Sequence, residues 1–188
     1  MYRRRPIFHS ALLALFFIAS CQTVLLSMAW SGSASAQEKV LADNAASIAV
    51  IIGNRTYRQT VPVDYAHNDA EAMKEYLIET LGYREENIFL LLDGTLSEMT
   101  QMFGSEAQPQ SGRLWRSVKE GASNVFVYYS GHGVPDLTTG DPFLLPADGD
   151  PNSVVSGYRL DTLYRNLELV RHKIGETREV VVMIDACF

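Results

Sequence analysis

Cysteine is scarce in this sequence. Of its 188 residues only two are cysteines, and Cys21 lies within an apolar N-terminal segment, so the rest of the chain holds Cys187 alone. A single cysteine cannot form an internal disulfide, and the C-x-x-C spacing of zinc and redox sites is missing. Cys187 is therefore either a buried thiol or a nucleophile.

Excess positive charge is also missing. The formal net charge is −6; residues 1–36 hold three arginines and no acidic residue, so residues 37–188 carry 13 basic and 22 acidic side chains, a net charge of −9. Nucleic-acid-binding domains present a basic patch or stripe. The composition thus argues against a nucleic-acid partner and favours basic partners. Hydrophobic residues, in contrast, make up 47% of the chain, enough for one domain with its own core.

The first 36 residues have the pattern of a secretory signal peptide. Arg3-Arg4-Arg5 precedes an apolar run from Ala11 to Trp30, and Ala34-Ser35-Ala36 then supplies an A-x-A cleavage site. We predict cleavage after Ala36 and a domain that works outside the cytosol, secreted or in a bacterial periplasm. The predicted organisation is a signal peptide over 1–36, a linker over 37–46 and a domain over 47–188.

Two other interpretations of the leader stay open. Because the apolar run is long, the segment could remain uncleaved as a membrane anchor, and only then would the membrane be a partner. Ile18-Ala19-Ser20-Cys21 also resembles a lipidation site, although the apolar residues from Val24 to Trp30 speak against it.

β-branched runs alternate with amphipathic stretches along the remaining chain. The run Val125–Tyr129 is apolar throughout, which is typical of a strand buried on both faces in a parallel sheet. The alternation predicts an α/β domain with a mostly parallel sheet. Four buried strands are predicted, at Ile48–Ile52, Ile88–Leu92, Val125–Tyr129 and Val180–Ile184, with a small hairpin near Phe143–Asp148.

Helices are predicted between these strands. In the first, Asn68 is expected as the N-cap with Glu71 at the third helical position, and Gly82 is expected to end it. The other helices are predicted around Thr95–Met102, Leu114–Glu120 and Leu160–Val170.

Two of the predicted strands end in side chains that suit catalysis. Ser130-Gly131-His132-Gly133 follows one strand and Asp185-Ala186-Cys187 follows another. Open α/β sheets bind ligands beyond the carboxyl ends of their strands. A histidine there can take the proton of a thiol that is mostly protonated near neutral pH. The N–H groups of Gly133 and Cys187 are candidate donors to an oxyanion. The alternative, a histidine that only caps a turn, is disfavoured by the two flanking glycines.

Together these motifs resemble the caspase-like cysteine peptidases, the superfamily of caspases, metacaspases and their bacterial relatives. Gly53-Asn54 and Asn68-Asp69-Ala70 also match the family, and the resemblance covers residues 46–188. It implies a three-layer α/β/α sandwich and a cysteine endopeptidase with His132 and Cys187 as its catalytic dyad, acting on protein or peptide substrates without a cofactor.

The resemblance also implies a specificity. Acidic residues matching Asp69 and Asp185 line the S1 pocket of metacaspases and select arginine or lysine, whereas caspases carry a glutamine at the position of Asp185 and cleave after aspartate. We therefore expect cleavage after Arg or Lys, since carboxylates favour a cationic P1 side chain. The alternative for Asp69 is an acid that only favours the start of a helix.

Other candidate residues carry weaker signals. His67 and His172 are expected to be solvated, with no third ligand nearby to suggest a metal. Related metacaspases often need calcium, but the loop acids Asp141, Asp148 and Asp150 are better interpreted as a solvated acidic surface.

The family pattern continues beyond Cys187 with a loop, a helix and further strands. We therefore expect this sequence to be a fragment that lacks the C-terminal part of the fold, with its last strand left as an exposed edge. A catalytically silent caspase-fold module that binds partners is the alternative function. A cysteine acyl transferase or redox protein is disfavoured because a second cysteine is missing.

Overall fold

The computed structural model describes residues 44–188. The predicted signal peptide, its cleavage site and most of the linker lie outside the described residues. The strands are β1 (Ile48–Gly53), β2 (Ile88–Leu92), β3 (Val125–Ser130), β4 (Gly133–Pro135), β5 (Pro142–Leu144), β6 (Tyr158–Arg159) and β7 (Val180–Asp185). The helices are α1 (Ala66–Glu79), α2 (Leu96–Phe103), α3 (Arg113–Ser117) and α4 (Leu160–Ile174).

Four parallel strands form the main sheet, in the order β2-β1-β3-β7. The α/β class and the parallel sheet are confirmed, and the four main strands lie where the β-branched runs predicted them. Every residue of β1 and β3 is buried. Their continuous apolar runs follow from this position, because a central parallel strand is covered on both faces.

Helices cover both faces of this sheet. On one face, Val50 and Val127 pack with Met99 of α2, Leu114 of α3 and Leu163 of α4. On the other face, Ile51 and Tyr128 pack with Ala70 and Leu77 of α1. The result is the predicted three-layer α/β/α arrangement, with the larger core on the side of α2, α3 and α4.

The two edge strands differ from their prediction as buried strands. In β2 no residue is fully buried, and Leu92 is 40% exposed. β7 is an edge strand, as expected, but it is not a buried strand: Val181 is 41% exposed and Met183 is 45% exposed. Its other side chains, such as Val182, pack against the larger core. Among the described residues, neither Val181 nor Met183 belongs to the core cluster on the α1 side, and burial alternates along the strand.

The helix boundaries also need correction. Helix α1 begins at Ala66, its N-cap is Tyr65 without a side-chain hydrogen bond, and Asn68 lies inside the first turn, so the predicted cap at Asn68 is wrong. Helix α3 ends at Ser117, earlier than predicted, because Val118 is already extended. Helix α2 begins after Thr95, which forms a capping box with Glu98.

A small antiparallel sheet, β4-β5-β6, follows the histidine motif. The predicted hairpin near Phe143 is thus part of a three-stranded unit, in which Gly133 pairs with Leu144 and Leu144 pairs with Tyr158. In the described part of the chain, none of the helices has the length and apolar character needed to cross a membrane.

Candidate active site

The two predicted catalytic segments leave the sheet side by side. β3 and β7 are parallel neighbours, and Ser130 pairs with Asp185 at their carboxyl ends. Just beyond, the Gly131 N–H donates to the Asp185 carbonyl oxygen at 3.2 Å. The segments that carry His132 and Cys187 therefore start at the same edge of the sheet.

Close backbone packing continues from there. A Cβ on Gly133 would lie 2.8 Å from the carbonyl oxygen of Cys187 and 2.5 Å from the ring of Phe188. Any larger residue would push residues 187 and 188 away from the histidine segment. Glycine is needed here because the cysteine segment lies directly against it. Cys187 itself is exposed to solvent.

The imidazole of His132 is held by a loop that follows β1. Its Nε2 lies 2.9 Å from the carbonyl oxygen of Val61. A carbonyl oxygen only accepts, so Nε2 carries the proton of the neutral ring and Nδ1 is left as the acceptor. The ring also packs on Tyr57, with ring centroids 4.8 Å apart and planes tilted by 51°.

Two tyrosine hydroxyls hold the backbone of the same histidine. The His132 N–H donates to the Tyr57 hydroxyl at 2.8 Å, and the Tyr129 hydroxyl donates to the His132 carbonyl oxygen at 2.8 Å. Burial raises the pKa of both hydroxyls, so both are neutral phenols at neutral pH. Neither tyrosine was predicted as a site residue. The sequence indicates such a role only weakly, because Tyr57 lies in the loop after β1 and Tyr129 lies near the end of a buried strand.

The two predicted S1 carboxylates both influence Tyr128, a residue of β3. Burial is the main reason that the pKa of Tyr128 is raised, and the negative charges of Asp69 and Asp185 raise it further. The charges of both carboxylates therefore act on the same phenol, in β3, which pairs with β7. Asp69 is half-buried and Asp185 is exposed.

Asp93, at the end of β2, anchors the loop that holds the histidine. Its carboxylate accepts from the N–H groups of Arg55 and Thr56 at 2.8 Å, and His67 Nε2 lies 2.8 Å away. Partial burial alone would raise the pKa of Asp93, but the hydrogen bonds from Thr56, His67 and Arg55 outweigh burial and hold this pKa below its usual value. The prediction that His67 is solvated is wrong, since its side chain is 24% exposed and paired.

Asn54 connects the ends of three strands. The sequence analysis noted it only as part of the Gly53-Asn54 resemblance and did not predict it as a site residue. It is fully buried, and its Oδ1 accepts from the Gly94 N–H at 2.8 Å. Its Nδ2 donates to the Leu145 carbonyl oxygen at 3.2 Å. A buried amide directly after a buried strand is the sequence signal that points to such a role.

The other loop acids have separate partners. Asp141 lies 3.3 Å from Arg159, and Asp148 accepts from the Leu96 N–H at 2.9 Å. Asp150 accepts from the Asn152 N–H at 2.9 Å. His172 is exposed and pairs with Glu168. Across residues 44–188, no group of three or more His, Cys, Asp or Glu side chains is arranged to hold a metal.

One family model matches most of this chain. The model of the caspase domain matches residues 46–188, which includes every strand and helix described above. The chain belongs to the caspase-domain family. This chain is also 29% identical over 147 residues to metacaspase-7 of Arabidopsis thaliana. The aligned region covers 74% of this chain and 34% of that protein. The chain thus spans about a third of the length of that relative.

In this caspase domain, all five residues predicted for the site lie near the carboxyl ends of the sheet strands or on the start of α1. They are His132 and Gly133 after β3, Cys187 and Asp185 at the end of β7, and Asp69 in the first turns of α1. An imidazole can take the proton of a thiol, and carboxylates can bind a cationic group, so these are the chemical capacities of the side chains at this end of the sheet.

Proposed function

We propose that this caspase domain is a cysteine endopeptidase that uses His132 and Cys187 and cleaves after Arg or Lys. The observation that carries the proposal is the packing of residues 187 and 188 against Gly133, next to a histidine whose Nδ1 is an acceptor. The leader pattern of residues 1–36 supports the further proposal that the domain acts outside the cytosol.

The proposed mechanism needs only these groups. His132 Nδ1 takes the proton of the Cys187 thiol, and the thiolate attacks the carbonyl carbon of the scissile peptide bond. The carbonyl oxygen becomes an oxyanion, for which the N–H groups of Gly133 and Cys187 are the proposed donors. The protonated imidazole then gives its proton to the leaving amine, and the peptide C–N bond breaks. Water, deprotonated by the same imidazole, hydrolyses the thioester and restores the thiol.

Charge supports the preference for a basic P1 residue. Asp69 and Asp185 both act on Tyr128, so a cationic side chain that enters beside this phenol would meet two carboxylates. Ionised hydrogen bonds of this kind are about twice as strong as neutral ones. An aspartate at P1 would instead be repelled by both groups.

The experiment is a comparison of fluorogenic peptides that end in Arg, Lys or Asp. We expect turnover of the Arg and Lys peptides, and we expect Cys187→Ala and His132→Ala each to lower kcat by at least about a thousandfold. His172→Ala is the matched control, because it removes an exposed histidine of α4, and it should leave kcat unchanged. Turnover that survives in Cys187→Ala would refute the mechanism, and cleavage of the Asp peptide alone would refute the specificity.

The alternative function is a catalytically silent caspase fold that binds partners. Covalent labelling distinguishes it from a peptidase. An arginine chloromethyl ketone should label the active protein at Cys187 and leave Cys187→Ala unlabelled. Absence of both turnover and labelling in a folded protein would favour the binding module over the peptidase.

A further inference from the structure

The loop after β1 meets His132 at three separate points. Tyr57 contributes its hydroxyl to the His132 N–H and its ring to the imidazole, and Val61 contributes its carbonyl oxygen to Nε2. Tyr57 is only 8% exposed, although it lies in a loop at the surface edge of the sheet. A large aromatic side chain that is buried in a loop and shares a hydrogen bond with a site residue restricts the movement of both segments.

Gly131, which precedes His132, shows how closely the Tyr57 hydroxyl is packed. A Cβ on Gly131 would lie 2.6 Å from the Tyr57 hydroxyl and 2.8 Å from the Tyr129 hydroxyl. The Tyr129 hydroxyl also lies 3.0 Å from the Leu145 carbonyl oxygen. Tyr57 therefore holds the backbone of His132 at its N–H group, and Tyr129 holds it at its carbonyl oxygen.

We propose that Tyr57 is a positioning residue, whose hydroxyl fixes the His132 backbone and whose ring fixes the imidazole plane so that Nε2 stays on the Val61 carbonyl and Nδ1 stays turned away from it. Its effect on catalysis rests on the proposed peptidase function, whereas its effect on the imidazole does not. Tyr57 does not touch the reacting atoms; it acts through His132. Misplacement of a catalytic group by a fraction of an ångström costs rate without a comparable loss of binding.

The test compares Tyr57→Phe with Tyr83→Phe. The first variant keeps the ring and removes the hydroxyl that accepts from His132. The second removes a hydroxyl from another buried tyrosine, 6% exposed, which lies near Ser47, the residue before β1 at the opposite end of that strand. Both variants lose one buried hydroxyl, so a general loss of stability should appear in both.

The readout that does not need activity is the Nε2–H signal of His132 in a nitrogen-15 NMR spectrum of the full chain, assigned by its absence in His132→Ala. We expect its exchange with water to be about tenfold faster in Tyr57→Phe and unchanged in Tyr83→Phe, because a positioned ring keeps its hydrogen bond longer. An exchange rate equal to that of the parent protein in Tyr57→Phe would overturn the proposal.

The kinetic readout separates this proposal from the peptidase function. With the Arg peptide, Tyr57→Phe should lower kcat by about tenfold with KM within about twofold, while Tyr83→Phe keeps both. A similar loss in both variants would overturn the positioning role. A parent protein without turnover would refute the peptidase function alone, and the exchange rates would still decide the proposal. If Tyr57→Phe does not fold, Gly131→Ala displaces the hydroxyls of Tyr57 and Tyr129 together and should accelerate the same exchange, whereas an unchanged rate would refute the proposal.

Discussion

Asp93 shows how much of the site depends on one residue outside it. Its backbone has a φ of 54°, a left-handed conformation that aspartate and asparagine tolerate better than most side chains. This conformation turns the carboxylate toward the N–H groups of Arg55 and Thr56, and His67 completes its contacts. The residue thus ties the end of β2 to α1 and to the loop that holds His132.

The first prediction concerns the charge of Asp93. Asp93→Asn keeps the left-handed backbone and one acceptor oxygen but removes the charge. Because the folded pKa lies below the unfolded pKa, the carboxylate stabilises the fold at pH values above the unfolded pKa, and this stability is lost as the pH falls through the folded pKa. We expect Asp93→Asn to lower the free energy of unfolding by about 1–2 kcal/mol near neutral pH.

Urea unfolding at a series of pH values measures this effect. The difference between Asp93→Asn and the parent protein should shrink as the pH falls below the unfolded value of about 4. Asp64→Asn, at an exposed aspartate of the same loop, should differ from the parent by less than about 0.5 kcal/mol at every pH. A difference that is independent of pH would show that the charge of Asp93 contributes nothing.

At the scale of elements, β7 is half core and half surface. Val182 packs against the larger core, whereas Val181, its neighbour in the same strand, is 41% exposed. Both residues are valines in the same strand and have the same β-propensity. A difference between the stability losses of their substitutions therefore measures burial.

The second prediction follows from this alternation. Val182→Ala should lower the free energy of unfolding by about 1–2 kcal/mol, because it removes buried methyl groups and leaves a gap in the core. Val181→Ala should cost less than about 0.5 kcal/mol beyond the small propensity difference. Chemical unfolding of both variants makes the comparison, and equal losses would mean that the strand is covered on both faces in solution.

At the scale of the whole molecule, charge is the dominant feature. Residues 37–188 carry a net charge of −9, which includes the two carboxylates of the proposed S1 region, Asp69 and Asp185. An acidic surface attracts basic peptides over several ångströms, and dissolved salt screens this attraction.

The third prediction is a dependence on salt. For the Arg peptide, kcat/KM should fall several-fold between about 0.05 M and 0.5 M salt, because screening weakens both steering and S1 binding. Asp185→Asn should lower kcat/KM at low salt and flatten the dependence. A value of kcat/KM that does not change with salt would show that charge does not guide the substrate.

Local pattern was sufficient to predict the main elements. The continuous apolar runs of β1 and β3 predicted buried central strands, since only a strand covered on both faces needs apolar side chains at every position. Residues that directly follow those strands, such as His132, could be placed at one edge of the sheet for the same reason.

Contacts between distant segments were decided only by the tertiary structure. Tyr57 and His132 are 75 residues apart, and Asp93 is 38 residues from Arg55, so no periodicity connects them. The alternating burial of β7 was also missed, because an apolar run looks the same in an edge strand and in a central strand. The sequence by itself determined which segments become strands and which side chains follow them. The order β2-β1-β3-β7 decided which loops meet, because strand order depends on crossovers and packing rather than on any single segment.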